Sequence, residues 1–172
     1  AERARAFGLK VDMVIVDDDV ALPHLPQARG LAGTLFVHKI AGALTENGAS
    51  LADVSRAAKR VIAGTRTIGM SLDTCEVPGA PKEARIPQGK AELGLGIHGE
   101  AGFDQVTYVD AKGAMHMVLE KLEEALDTKG QYVALLNNLG GASVLEMSVL
   151  AHELAQSSMG ASIKFIVGPA AM

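Results

Sequence analysis

Residues 131–158, QYVALLNNLGGASVLEMSVLAHELAQSS, decide the fold class. They begin with a short apolar run, 131–136, whose length and composition are typical of a buried strand. Residues 137–141 are rich in Asn and Gly and predict a turn, after which Ser143 and Glu146 have the spacing of a helix capping box. A buried strand that leads at once into a capped helix is the building unit of an α/β domain.

The same alternation of strands and helices extends outward through the rest of the chain. Three prolines, at positions 78, 81 and 87, predict an irregular loop over 73–89. The alternation predicts an α/β layered domain with a mixed β-sheet covered by helices. The predicted helices cover 1–7, 34–44, 51–63 and 115–126, and the other predicted strands cover 11–16, 65–72, 91–97 and 163–167.

The composition narrows the classes of function. The net charge is -4, aromatic residues make up 3% of the chain, and no basic run occurs, so we expect no nucleic-acid partner. No apolar stretch reaches the roughly 18 residues of a bilayer span, so we expect no membrane partner. A single cysteine, Cys75, and the lack of a signal-peptide pattern at the N-terminus predict a reducing, cytoplasmic location.

The most informative motif is Gly94-Leu95-Gly96-Ile97-His98-Gly99-Glu100, at the end of a predicted strand. Glycines on both sides of His98 let a small ligand approach the imidazole closely, and a neutral imidazole can add to a ketone to give a hemiaminal. Glu100 is near enough in sequence to orient the other ring nitrogen. Spacing alone nevertheless favours an ordinary loop histidine over a nucleophile.

Other candidate groups give weaker signals. Asp17, Asp18 and Asp19 follow the strand predicted over 11–16, but the further oxygen ligands of a calcium loop are missing. A solvated turn is therefore favoured over a cation site, and no metal site is predicted. The remaining histidines are interpreted as packing or surface residues: His24, His38, His116 and His152.

Residues 93–100 resemble the signature of the dihydroxyacetone kinase substrate domain. Further segments resemble the same family in the same order: 32–34 with 37–43, 69–75, 77–79 and 137–141. The resemblance implies that His98 is the catalytic residue that holds dihydroxyacetone as a covalent hemiaminal. It places Gly99 at the substrate as well, with Glu100 as an orienting neighbour. The family usually has Pro where this chain has Ala101.

The resemblance also implies a domain organisation. Residues 1–172 would form the C-terminal lobe of a two-lobed DhaK-type substrate domain, truncated at both ends. Within the family, the chain most resembles the single-chain ATP-dependent kinases. The general base and the groups that bind the substrate hydroxyls would lie in the missing N-terminal lobe. ATP and Mg would bind a separate nucleotide-binding domain, and this fragment would bind no cofactor and be inactive alone. The parent protein would be a homodimer.

The function implied is the phosphorylation of dihydroxyacetone (glycerone), or of a related short ketose or aldose, to its phosphate. An alternative is a non-catalytic, ketone-binding regulatory paralogue that acts as a transcriptional co-activator. Such a paralogue would keep the histidine and lose the catalytic base. Because that base would lie outside these residues, the sequence leaves both functions open.

Overall fold

A computed structural model describes residues 1–74, 76, 78–79, 81–98, 100–127 and 129–171, which contain both helices and strands. Their order is α1 (Glu2–Ala6), α2 (Gly33–Glu46), α3 (Leu51–Ala63), β1 (Met70–Ser71), β2 (Lys90–Leu93), β3 (Asp104–Thr107), α4 (Ala111–Glu123), β4 (Tyr132–Asn138), α5 (Val144–Ala155), a 3-10 turn (Gly160–Ser162) and β5 (Ile163–Ala171). The predicted α/β class is confirmed. None of the helices in these ranges has both the length and the apolar character that a bilayer crossing requires.

The C-terminal half folds as the opening sequence predicts. Strands β4 and β5 pair in parallel, and α5 connects them. The predicted capping box begins α5: the Ser143 side chain accepts from the Glu146 amide, while the Glu146 carboxylate accepts from the Ser143 amide. Helices α4 and α5 cover one face of the strand pair through a core of four buried residues: Met115, Leu119, Leu154 and Met159.

The middle of the chain forms a second, antiparallel sheet in the order β1-β2-β3. Its central strand, β2, is buried at Ala91, Glu92 and Leu93. The predicted strand over 91–97 stops at Leu93 because Gly94 has a φ of 78°, which turns the chain out of the sheet. β3 was not predicted, because only Val106 within it is partly buried and its sequence shows little alternation.

Helices α2 and α3 pack together through Val37, Ala58 and Ile62. The strand predicted over 11–16 is wrong: within the described residues this segment pairs with no strand, and Val14 and Val16 instead pack against the α2–α3 core. An apolar alternation forms a strand only where a partner supplies backbone hydrogen bonds. Here the pairing begins later, where Asp19 forms a parallel bridge with Thr67.

Two other predicted boundaries change for local reasons. The strand predicted over 65–72 shortens to Met70–Ser71, because only these two residues pair with β2, through Leu93 and Glu92. Helix α4 begins at Ala111, four residues before its predicted start, because the Asp110 side chain accepts from the Gly113 amide and caps it there.

Candidate functional site

The loop that carries His98 is closed by backbone contacts at both of its ends. The Gly94 amide donates to the Gly69 carbonyl at 2.6 Å, and the Phe103 amide donates to the Leu93 carbonyl at 2.9 Å. Inside the loop, the Gly96 amide donates to the Glu100 carbonyl at 2.9 Å. The end of β2 therefore presents His98 at the tip of a short loop that returns to the same strand. We call residues 94–101 the His98 loop.

Within this loop Glu100 contacts His98 twice. The His98 amide donates to Glu100 Oε2 at 2.9 Å, and His98 Nδ1 lies 3.2 Å from Glu100 Oε1. A neutral ring that carries its proton on Nδ1 donates it to Glu100 and keeps a lone pair on Nε2. The His98 side chain is 80% exposed, so Nε2 is accessible to an external electrophile. Glu100 therefore contacts the ring nitrogen that it was expected to meet, and its orienting role stays a prediction.

The same backbone contacts set the charge of Glu100. Hydrogen bonding from backbone amides, its own first and that of His98 next, lowers the pKa of the Glu100 carboxyl below 4.5, and the His98 side chain adds to the effect. Glu100 is therefore a carboxylate at neutral pH, the form that accepts a proton from the imidazole ring.

Gly96 makes room for this carboxylate. A Cβ at position 96 would lie 2.7 Å from Glu100 Cδ and closer still to Oε2. Any side chain at Gly96 would push Glu100 off the His98 amide. The Gly-rich character of the motif therefore has a local cause, the close approach of a side chain within its own loop.

The acidic run before the loop is not the solvated turn expected from the sequence. Asp17 is exposed, but Asp18 is 0% and Asp19 6% exposed. Asp18 accepts from the Leu31 amide at 2.6 Å and from the Gly33 amide at 2.7 Å, and also from the Thr67 hydroxyl. Asp18 therefore ties the first turn of α2 to the chain near Thr67, a contact that the helix dipole favours.

Asp19 is linked to the His98 loop through Arg29. Its Oδ1 accepts from the Ala21 amide at 2.9 Å, and its Oδ2 accepts from Arg29 Nε at 2.6 Å. Arg29 Nη2 in turn donates to the Gly94 carbonyl at 2.6 Å, and Nη1 lies 3.4 Å from the Ala101 carbonyl. A Cβ at Gly94 would overlap the Ala21 side chain, so the loop rests on this turn.

Sequence reasoning missed Asp18, Asp19 and Arg29 because their partners are distant in sequence. One weak signal was available in the sequence. The acidic run directly follows an apolar segment, at a point where the chain can enter the interior. A third buried carboxylate, Glu92, was also missed, and it accepts from Arg85 Nη2 at 2.7 Å. Gly99 and Cys75, which the sequence singles out, lie outside the described residues.

Two surface cavities lie away from His98. One, of about 520 Å³, is lined by Asp12 and residues of α3, and the other, of about 200 Å³, lies beside β5. In the described ranges, no three His, Cys, Asp or Glu residues are placed to share a metal ion. The His98 loop therefore presents an exposed imidazole, and its described residues do not form a set that would hold Mg²⁺.

Comparison with known proteins identifies the family. The Dak1 domain model matches residues 1–168. The chain belongs to the Dak1 family. It is 41% identical to the dihydroxyacetone kinase of Citrobacter freundii over 173 residues, which is 100% of this chain and 31% of that protein.

A second relative and a crystal structure extend the comparison. The chain is 34% identical to the dihydroxyacetone-binding subunit DhaK of a PTS-dependent kinase from Listeria innocua, over 98% of this chain and 54% of that subunit. The crystal structure of the Citrobacter freundii kinase in complex with AMP-PNP and Mg²⁺ matches with a TM-score of 0.95, over 100% of this chain and 32% of that one. The chain thus spans about a third of the kinases and about half of the subunit.

Proposed function

We propose that this chain is the part of a dihydroxyacetone kinase that captures the ketone substrate, with His98 as the nucleophile. The observation that carries the proposal is the exposed His98 ring, whose Nδ1 lies 3.2 Å from Glu100 Oε1. This arrangement leaves Nε2 to react. The 34% identity to a subunit described as dihydroxyacetone-binding supports the assignment of this region to substrate capture.

Capture is an addition that needs no oxidant or metal. The Nε2 lone pair of His98 attacks the carbonyl carbon, and the π electrons of the C=O bond move to oxygen. The imidazole loses its Nδ1 proton toward Glu100, and the new alkoxide gains a proton from solvent or from Glu100. The product is a neutral hemiaminal with one new N–C bond, and reversal of these steps releases the ketone.

The carbonyl requirement gives the kinase its selectivity. Glycerol differs from dihydroxyacetone by two hydrogens, one on the central carbon and one on its oxygen, and hydroxyl contacts alone reject such a close analogue weakly. Only a carbonyl carbon can accept the His98 lone pair. Capture also holds the terminal hydroxyl in one place for phosphoryl transfer, a reaction in which positioning supplies much of the catalysis.

The remaining parts of the reaction fall to residues outside this chain. We propose that residues 1–172 form the C-terminal lobe of the substrate domain and that an N-terminal lobe supplies the base for the reacting hydroxyl. The nucleotide and Mg²⁺ would be held by a separate domain, because the described residues do not fit an Mg²⁺ site.

The test uses the full-length protein and dihydroxyacetone labelled with ¹³C at the carbonyl. Capture converts the ketone carbon to a tetrahedral carbon, which a new ¹³C NMR signal reports. We expect this signal in the wild-type protein and in His116→Ala, a control in which an exposed histidine of α4 is removed, and no signal in His98→Ala. An undiminished signal in His98→Ala would contradict the assignment.

A phosphorylation assay separates the kinase from the regulatory alternative. With ATP and Mg²⁺ we expect turnover of dihydroxyacetone and none of glycerol. Capture without phosphorylation would rule out an ATP-dependent kinase and leave a regulatory paralogue or a subunit of a PTS-dependent kinase. Comparable turnover of glycerol would mean that recognition depends on hydroxyl contacts and not on addition to His98.

A further inference from the structure

We propose that Arg29 is a positioning residue that fixes both ends of the His98 loop to the buried carboxylate of Asp19. The proposal rests on the proposed function of His98, which the loop carries. Its basis is one guanidinium group that reaches three acceptors: Asp19 Oδ2 through Nε at 2.6 Å, the Gly94 carbonyl through Nη2 at 2.6 Å and the Ala101 carbonyl, 3.4 Å from Nη1.

The two carbonyls belong to the first and last residues of the His98 loop. Gly94 is the residue at which the chain leaves β2, and Ala101 follows Glu100 directly. A donor that contacts both carbonyls sets the separation of the loop ends. Because Glu100 contacts His98 from inside the loop, this separation also controls where Nδ1 meets its carboxylate.

Asp19 is a firm anchor for this contact. Its side chain is 1% exposed, and its second oxygen already accepts from the Ala21 amide at 2.9 Å. The neighbouring Asp18 fixes the same turn to the start of α2 through the Leu31 and Gly33 amides. The anchor therefore belongs to the α2–α3 part of the molecule, whereas the loop belongs to the antiparallel sheet.

Arginine is suited to this role and lysine is not. The guanidinium group is planar, and its donors point in fixed directions. Here they contact the Asp19 carboxylate and the two loop carbonyls. The Arg29 side chain is 18% exposed, so its charge is largely removed from water. The Asp19 carboxylate compensates that charge. A lysine ammonium could pair with Asp19 but could not reach both loop carbonyls at once.

The experiment compares Arg29→Lys with Arg66→Lys in the full-length protein. Arg66 is a matched control, because its exposed guanidinium donates to the Ala63 carbonyl at 3.0 Å and to the Thr65 carbonyl at 2.7 Å and contacts no part of the His98 loop among the described residues. Three quantities are measured: hydrogen exchange of residues 94–101, the KM for dihydroxyacetone and the KM for ATP.

We expect Arg29→Lys to speed hydrogen exchange across residues 94–101 by about 10-fold or more, with exchange in α5 unchanged. We also expect the KM for dihydroxyacetone to rise about 10-fold or more and the KM for ATP to stay the same, since misplacement of a reacting group by about 1 Å can lower rates 100-fold. Arg66→Lys should leave all three quantities at their wild-type values.

The outcomes separate this proposal from the proposed function. If His98→Ala abolishes capture while Arg29→Lys leaves loop exchange and the ketone KM unchanged, Arg29 has no positioning role. If His98→Ala captures the ketone normally, the proposed function fails, and the exchange rates alone still decide whether Arg29 holds the loop. An equal loss of protection in α5 would mean that Arg29 stabilises the whole fold, which would also overturn the proposal.

Discussion

The Glu100 carboxylate occupies the space in which a side chain at Gly96 would lie. The two residues also share a backbone hydrogen bond, from the Gly96 amide to the Glu100 carbonyl at 2.9 Å. The small residue and the charged residue of the motif are therefore one structural unit. Glu100 can reach the His98 amide and ring together only because position 96 lacks a Cβ.

Gly96→Ala should impair ketone capture without unfolding the protein. The added methyl group would overlap Glu100 Oε2 and move the carboxylate away from His98. The ¹³C adduct signal at a fixed dihydroxyacetone concentration should fall about 10-fold or more, in line with the sensitivity of such reactions to misplacement. Gly141→Ala is the control, because a Cβ there would meet no atom within 4 Å. An equal loss of signal in both variants would contradict this account.

The pKa of the Glu100 carboxyl should lie below its usual value of 4.5. His98→Ala should reverse only part of this lowering. Backbone amides are the leading cause of the lowered pKa, and the backbone remains when the imidazole is removed. The side-chain carboxyl ¹³C shift of Glu100 followed against pH measures this. Glu146 is the control: hydrogen bonds from Ser143 lower its pKa, which His98→Ala should leave in place.

The sign of the pH dependence follows from these lowered pKa values. A carboxyl whose pKa is lower in the folded state stabilises the fold above its unfolded pKa, and this contribution is lost as the pH falls through the folded pKa. The Glu100 contacts should therefore be intact at neutral pH and weaken only below 4.5. Loss of the Glu100 contacts between pH 6 and 7 would argue against a lowered pKa.

Asp18→Asn should destabilise the protein by about 1–3 kcal/mol, the usual penalty for a buried hydrogen-bonding group left without its partner. Asp18 accepts from two amides and one hydroxyl, and an Asn amide nitrogen in place of one oxygen would face a donor with another donor. Denaturant unfolding measures the change. The exposed neighbour provides the control, since Asp17→Asn should leave the free energy of unfolding nearly unchanged.

Ser143→Ala should lower the free energy of unfolding by about 1 kcal/mol, because it removes the N-cap of α5. Ser148→Ala provides a comparison within the same helix, since the Ser148 hydroxyl donates to the Val144 carbonyl and caps nothing. That variant should be neutral or slightly more stable. Thermal unfolding of both variants is the measurement, and equal effects would show that the capping box contributes little.

Local sequence signals identified much of the fold. Ser143 begins α5 where its side chain was expected to cap, and α3 covers Leu51–Ala63 as predicted. Each of these features is decided by atoms within about four residues, which a sequence displays directly. Asp110 is a counterexample: it caps α4 through Gly113, although the apolar spacing suggested a later start.

The sequence also singled out His98 as the candidate nucleophile, through the family resemblance, and Glu100 as its neighbour. Gly96, His98 and Glu100 interact within five residues of chain, so their contacts are local. Only the tertiary structure decided what holds their loop. Asp19 lies 10 residues from Arg29, and Arg29 lies 65 residues from Gly94, so no periodicity links them. Whether an acidic run is solvated or buried depends on the donors that folding brings to it. Here the donors are the Leu31 and Gly33 amides at the start of α2 and the guanidinium of Arg29, and they hold Asp18 and Asp19 in the interior.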